Sequence, residues 1–233
     1  MYRTVWRESE MSVAASVVKA SAPLRKHLRQ RRLKPFLAIV EAVFRERGAV
    51  EILDVGGTNA YWKMVPAETM ELYNMFITVV NFSCEAFEAS DRIQFVEGNG
   101  CSLPDFGTKR FDIVHSNSVI EHVGTWKEMS QYASECRRSA PRYWVQTPYY
   151  WFPIEPHNMT PFYHWLPFPI RVKLNMWFSL GNWPRCSTID NAVRNAESSR
   201  LLDCAMLKEL FPDAKRRVER FLLLPKSIIM IRA

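Results

Sequence analysis

Polar and ionisable side chains in this 233-residue sequence fall just after short apolar runs, where a folded sheet can gather them. The stretch EILDVGGT, from Glu51 to Thr58, ends one such run with Asp54, Gly56 and Gly57. Two glycines directly after a strand let backbone come close to a ligand, or simply make a tight strand-to-helix turn. Asn81 closes a second run, Asn99 follows a third, and Asn117, Ser118, Glu121 and His122 follow a fourth. If those runs are parallel strands, all these residues reach one rim, where α/β sheets bind ligands. A nucleoside-shaped ligand suits the set, which offers close backbone approach, a partner for ribose and a polar group beside the base. Proton transfer is the other chemistry on offer, and histidine is its natural carrier. His27 reads as solvated, and His115 as a satisfied core group at the end of a buried strand. His122 stands at the rim, either lining a site or packing at a helix start. His157 follows Glu155 in the run IEPHN, a pair suited to catalysis or to fixing a loop. The catalytic candidates are therefore His122, His157 and Glu155.

The elements that must position these residues are readable from hydrophobic period. Phe36, Leu37, Val40, Val43 and Phe44 share one face of a helix predicted from Pro35 to Arg47, with Pro35 in its first turn and Gly48 ending it. Strands are predicted at 51–55, 76–80, 93–96, 111–114 and 143–147, and a closing pair at 216–223 and 227–231. A short irregular helix limited by Pro66 is expected within 61–70. Thr125 and Glu128 form a capping box, and the helix they open is expected to turn Trp126, Met129, Tyr132, Ala133 and Cys136 inward. A further helix is expected over 205–211. Strands alternating with helices imply an α/β, Rossmann-like fold, a mainly parallel seven-stranded sheet with helices on both faces. One segment breaks the alternation. Residues 148–186 hold eleven aromatic rings and seven prolines, too much proline for regular structure across 148–169. It reads as an aromatic/proline-rich insertion after the fifth strand, serving as a structural cover, a substrate lid or a membrane-facing cap. The domain reading is an arm and basic lead-in at 1–34 and a single domain at 35–233.

Composition narrows the function classes. With 48% apolar and 24% charged residues the chain is globular rather than disordered or fibrous. The formal charge of +7 is traced to Arg25, Lys26, Arg29, Arg31, Arg32 and Lys34, with the remainder near balance. That cluster is a solvated helix face, or a contact for nucleic acid or membrane. Five scattered cysteines without a CxxC support neither structural zinc nor a disulfide framework, so no metal is expected and a reducing, cytoplasmic setting fits. No signal peptide or spanning segment is evident.

Taken together, these motifs resemble the class I S-adenosylmethionine-dependent methyltransferases, in particular the methyltransferase type 11 group. The resemblance covers roughly 35–147 and resumes at 201–232, where LFPDAKRRVERFLLLPKSIIMI is similar to that group's closing helix and hairpin. It rests most on FDIVHSNSVIEHV. It implies S-adenosyl-L-methionine as cofactor, Asp54 and Gly56 at its amino-acid end with Gly57 easing the turn, and Asn81 on the ribose. It further implies Asn99 on the adenine amine beside Gly100 and Cys101, with Asn117, Ser118 and His122 lining the site. The group's later glycines are replaced by Thr58 and Ala60. Asn81 stands where an acidic residue is usual, so ribose binding is expected to be weaker than with a carboxylate. A dinucleotide reading fails, because GGTNA lacks the G-x-G-x-x-G spacing. The expected reaction is methyl transfer to a small acceptor, apolar or aromatic and in one form lipid-like, without a nucleic-acid module and with at most peripheral membrane contact. The alternative is a non-catalytic binding protein that keeps the fold.

Overall fold

The computed structural model describes residues 22–82 and 90–233, so nearly all of the expected N-terminal arm lies outside the described residues. The described chain forms two compact units, one of Lys34–Phe152 with Ser199–Ala233, and the other of Pro153–Ser198 with the described residues before Lys34. The aromatic segment expected at 148–186 thus lies mostly in the second unit, while Pro148 to Phe152 stay with the sheet.

The first unit is built on a seven-stranded sheet. Helix α1 (Ala22–Arg47) leads into β1 (Val50–Val55), followed by α2 (Asn59–Trp62), α3 (Ala67–Leu72), β2 (Met75–Asn81) and β3 (Ile93–Glu97). Then come β4 (Ile113–Asn117), a 3-10 turn (Ile120–His122), α4 (Trp126–Ser139) and β5 (Arg142–Pro148). The order across the sheet is β3-β2-β1-β4-β5-β7-β6. Strands β1 to β5 run parallel, and the terminal β6 (Lys215–Phe221) and β7 (Leu224–Arg232) join antiparallel through β7 on β5.

Side-chain alternation sorts the sheet into two faces. Leu53, Val55, Val114, Tyr143 and Val145 pack with Met129, Tyr132, Ala133 and Cys136 of α4 in the main core. Trp126 differs from expectation, being 39% exposed, because it is the first residue of α4, ahead of the inward stripe that Met129 begins. The capping box forms, with Thr125 N–H donating to Glu128 Oε2 at 2.5 Å. The other face carries Asp54, His115 and Trp144, and there Phe36 of α1 sets its ring 6.0 Å from Trp144. Helix α1 itself corrects the sequence reading. It starts at Ala22 and passes through Pro35, tolerating the amide hydrogen bond that proline removes, because Leu33, Phe36, Ile39, Val40 and Val43 are buried around that point.

In the second unit, after a 3-10 turn at Tyr163–Trp165, helices α5 (Phe168–Trp177) and α6 (Ile189–Glu197) form. The stretch before them is irregular, as its prolines require, and is held by polar contacts. Glu155 accepts from the N–H groups of His157 and Asn158, both at 2.8 Å, and pairs with His157 Nδ1 at 2.6 Å. Asn175 donates to Tyr163 Oη at 2.6 Å, and Arg171 lies over the Tyr163 and Phe168 rings. After this unit, α7 (Cys204–Leu210) leads back to the hairpin. Among the described residues no helix is long and apolar enough to cross a membrane.

Candidate functional site

The turn after β1 is fixed by its two glycines for different reasons. Gly56 has φ +76, and a Cβ there would lie 2.5 Å from Val119 Cγ1. At Gly57 a Cβ would fall 1.7 Å from Asp54 Oδ2, so the turn rests directly on that carboxylate. Below it, the buried Tyr132 hydroxyl donates to Val55 O at 3.2 Å and bonds Ser116 Oγ at 2.7 Å. Burial raises the Tyr132 ionisation well above the ordinary range, with Cys136, Asp54 and Glu121 adding to it and the Ser116 bond opposing it. That hydroxyl is therefore a fixed neutral support.

Parallel pairing of β1 with β4 sets Asp54 beside His115 in the register. Both are buried, and His115 Nδ1 meets Asp54 Oδ1 at 2.7 Å. The second carboxylate oxygen accepts from Trp62 Nε1 at 2.6 Å. His115 Nε2 meets the Tyr61 hydroxyl at 2.8 Å. With Nδ1–H donating to the carboxylate, Nε2 is an acceptor and the Tyr61 hydroxyl is its donor. Aromatic packing holds the imidazole in place. Trp144 stacks on it at 5.0 Å and 9°, and Phe36 meets it edge-on at 4.8 Å. Tyr61 and His115 line a recess with Asp54, Gly56, Gly57, Thr58 and Asn117, enclosing about 230 Å³ including its open mouth.

Four of the residues expected at the site, Asp54, Gly56, Gly57 and Asn117, thus come together. Others are engaged elsewhere. Asn81 Nδ2 donates to Gly57 O at 3.0 Å and its Oδ1 accepts from Phe82 N–H at 2.8 Å, so one end of the amide holds the turn and the other its own backbone. Asn99 Oδ1 accepts from Cys101 N–H at 2.9 Å. Gly100 packs where a Cβ would lie 2.6 Å from Val55 Cγ1. Burial, helped by Glu128, pushes the Cys101 thiol up. Ser118, at φ +56, donates to Gln146 Oε1 at 3.0 Å. His122 ends the 3-10 turn and is exposed, while Glu155 and His157 belong to the second unit.

Thr58, Tyr61 and His115 are recess residues that sequence reasoning missed. The register of β1 against β4 was the signal that could have found His115, since it puts that residue next to Asp54. Trp62 lies eight positions beyond Asp54, in a stretch whose helical phase Pro66 obscures.

Residues 53–141 match the model of a family described as a methyltransferase domain, type 11. No curated protein matches the chain. Among solved structures, an O-methyltransferase family protein from Burkholderia thailandensis aligns with TM-score 0.51 and 12% identity, covering 94% of this chain and 57% of that one. The magnesium protoporphyrin IX methyltransferase of Synechocystis, solved with SAM bound, gives TM-score 0.49 and 12% identity over 89% and 81%. Haemonchus contortus phosphoethanolamine N-methyltransferase 2, solved with S-adenosyl-L-methionine, gives 0.47 and 12% over 77% and 38%. The chain therefore spans little more than half the length of the Burkholderia protein. It has the Rossmann-like fold of the class I S-adenosylmethionine-dependent methyltransferases, and the type 11 likeness is confined to residues 53–141.

Proposed function

We propose that the protein transfers a methyl group from S-adenosyl-L-methionine to a small apolar or aromatic acceptor. The observation that carries this reading is the Asp54–His115–Tyr61 series, opening into a recess under the glycine turn. The residues suit the amino-acid end of the cofactor. Backbone at Gly56 and Gly57 is open to close approach, and Thr58, Tyr61 and Asn117 offer neutral donors and acceptors. The ribose end is less well provided, because the amide of Asn81 is engaged with Gly57 O and with Phe82 N–H. When bound, the sulfonium supplies an activated methyl group. The chain's own contribution is alignment and proton acceptance. An acceptor hydroxyl or amine gives its proton to the Tyr61 oxygen while Tyr61 passes its own to His115 Nε2. Asp54 then holds the resulting imidazolium through Nδ1–H. His122, on the same unit, is the second candidate for that proton. The ring-rich second unit supports an apolar or aromatic acceptor. A reducing compartment such as the cytoplasm suits the free thiols of Cys101, Cys136, Cys186 and Cys204.

Titration calorimetry with S-adenosylmethionine, S-adenosylhomocysteine and NAD tests the reading, followed by isotopic methyl transfer into cell extract. Binding of the first two and not the third is expected. Preference for NAD refutes the reading, and binding of none of them leaves the fold as a partner module.

A further inference from the structure

The closing hairpin carries a surface that the methyl-transfer reading does not use. Strands β6 and β7 pair Phe221 with Leu224, so only Leu222 and Leu223 make the turn. Such two-residue turns need positive φ, for which glycine, asparagine and aspartate are the usual residues. Here Leu222 takes φ +54. Leu222 and Leu223 are 83% and 85% exposed, and Leu224 is 49% exposed. The turn therefore bears backbone strain and bare apolar surface together, without core packing to offset either.

Behind the tip stands a cationic collar. β6 is one of the sheet's two edge strands, and its Lys215, Arg216, Arg217 and Arg220 are all exposed. The one acidic residue of the hairpin, Glu219, accepts from Ser227 Oγ at 2.5 Å. Arg220 reaches forward to donate to Leu223 O at 2.9 Å, which keeps a guanidinium beside the leucines. The chain's positive charge is thus not confined to residues 25–34.

We propose that the β6–β7 tip docks on an anionic lipid surface, with Leu222 and Leu223 entering the headgroup–acyl boundary and the collar meeting lipid phosphates. Charge complementarity selects this occupant. The tip is a narrow projection of three leucines, whereas a protein interface needs a broad patch of roughly 800 Å² on each partner.

The test uses the full chain in flotation with phosphatidylcholine vesicles, with and without phosphatidylglycerol, at low and high salt. Binding is expected only with phosphatidylglycerol and should weaken with salt. The double variant Leu222→Asn/Leu223→Gly restores ordinary turn chemistry, so its melting temperature should hold or rise while bound fraction falls about tenfold. Arg216→Gln/Arg217→Gln should weaken binding and leave the leucine contribution intact. Absence of vesicle binding by the wild type overturns the proposal, as does equal binding by the leucine variant. Leucine-dependent self-association in light scattering, without vesicle binding, also overturns it in favour of a second copy of the chain.

Discussion

Replacing Asp54 separates a structural carboxylate from a proton-directing one, because its two oxygens serve different donors. In Asp54→Ala, both Trp62 Nε1–H and His115 Nδ1–H lose their buried acceptor. Each orphaned donor costs about 1–3 kcal/mol, so a loss of roughly 4 kcal/mol is expected. Asp54→Asn behaves differently. An indole can only donate, so the asparagine oxygen must stay on Trp62 and its amide must face His115. The imidazole can then shift its proton to Nε2, accept at Nδ1 and donate to Tyr61. Every hydrogen bond survives, and only the two made by the imidazole reverse their direction. What goes is the charge assistance, about 1 kcal/mol per bond, partly returned because no charge is buried. A net loss of about 1 kcal/mol is expected. Equilibrium urea unfolding measures both losses, and nitrogen-15 NMR of the imidazole reads the tautomer directly. If Asp54→Asn proves as costly as Asp54→Ala, or His115 keeps its proton on Nδ1, the directional reasoning fails. The same reversal removes the acceptor for the Tyr61 proton, so any methyl transfer should drop far more than stability does.

Gly57→Ala must displace Asp54 Oδ2 from its place 1.7 Å from the new Cβ, and should lower stability by about 2 kcal/mol or more with disturbed Trp62 fluorescence; a wild-type melting curve would contradict this. Asn81→Asp loses the donor to Gly57 O and sets an anionic oxygen against that carbonyl. Cofactor affinity by calorimetry should therefore fall about tenfold, and tighter binding would show instead that residue 81 reaches the ribose. Burial pushes the Glu155 carboxyl up, but the His157 ring and the N–H groups of Asn158 and His157 outweigh it and hold it below the ordinary 4.5. A carboxyl lowered by folding adds stability above its ordinary value that is lost as pH falls through the lowered one. Thermal melts should accordingly show Glu155→Gln destabilised at neutral pH by about 1–3 kcal/mol, with the gap to wild type closing in acid.

The sheet was legible because buried strands between turn signals leave a strong mark, and all seven appear close to their expected bounds. The extent of α1 was not, since Pro35 is a local stop signal that tertiary packing of Phe36 and Val40 overrides. At the site, residues were found where the glycine turn itself announced them. The roles of Asn81, Asn99 and Ser118 could not be read, because an amide or hydroxyl near a strand end serves a ligand and its own backbone equally well in sequence. His115 looked like a satisfied core histidine, and it is one. What the sequence hid is that one of its satisfying partners, Tyr61, faces the recess.

The pairing of Asp54 with His115 joins residues sixty-one positions apart and depends wholly on β4 lying against β1. The glycine turn, by contrast, is a local device that any fragment spanning β1 and β2 would contain. A chain cut before β4 would keep that turn and Trp62, yet present a bare carboxylate where the imidazole belongs. The proposed proton acceptor therefore comes into being only with the central strand pair, and the half of the sheet that looks most like a cofactor site holds no imidazole of its own.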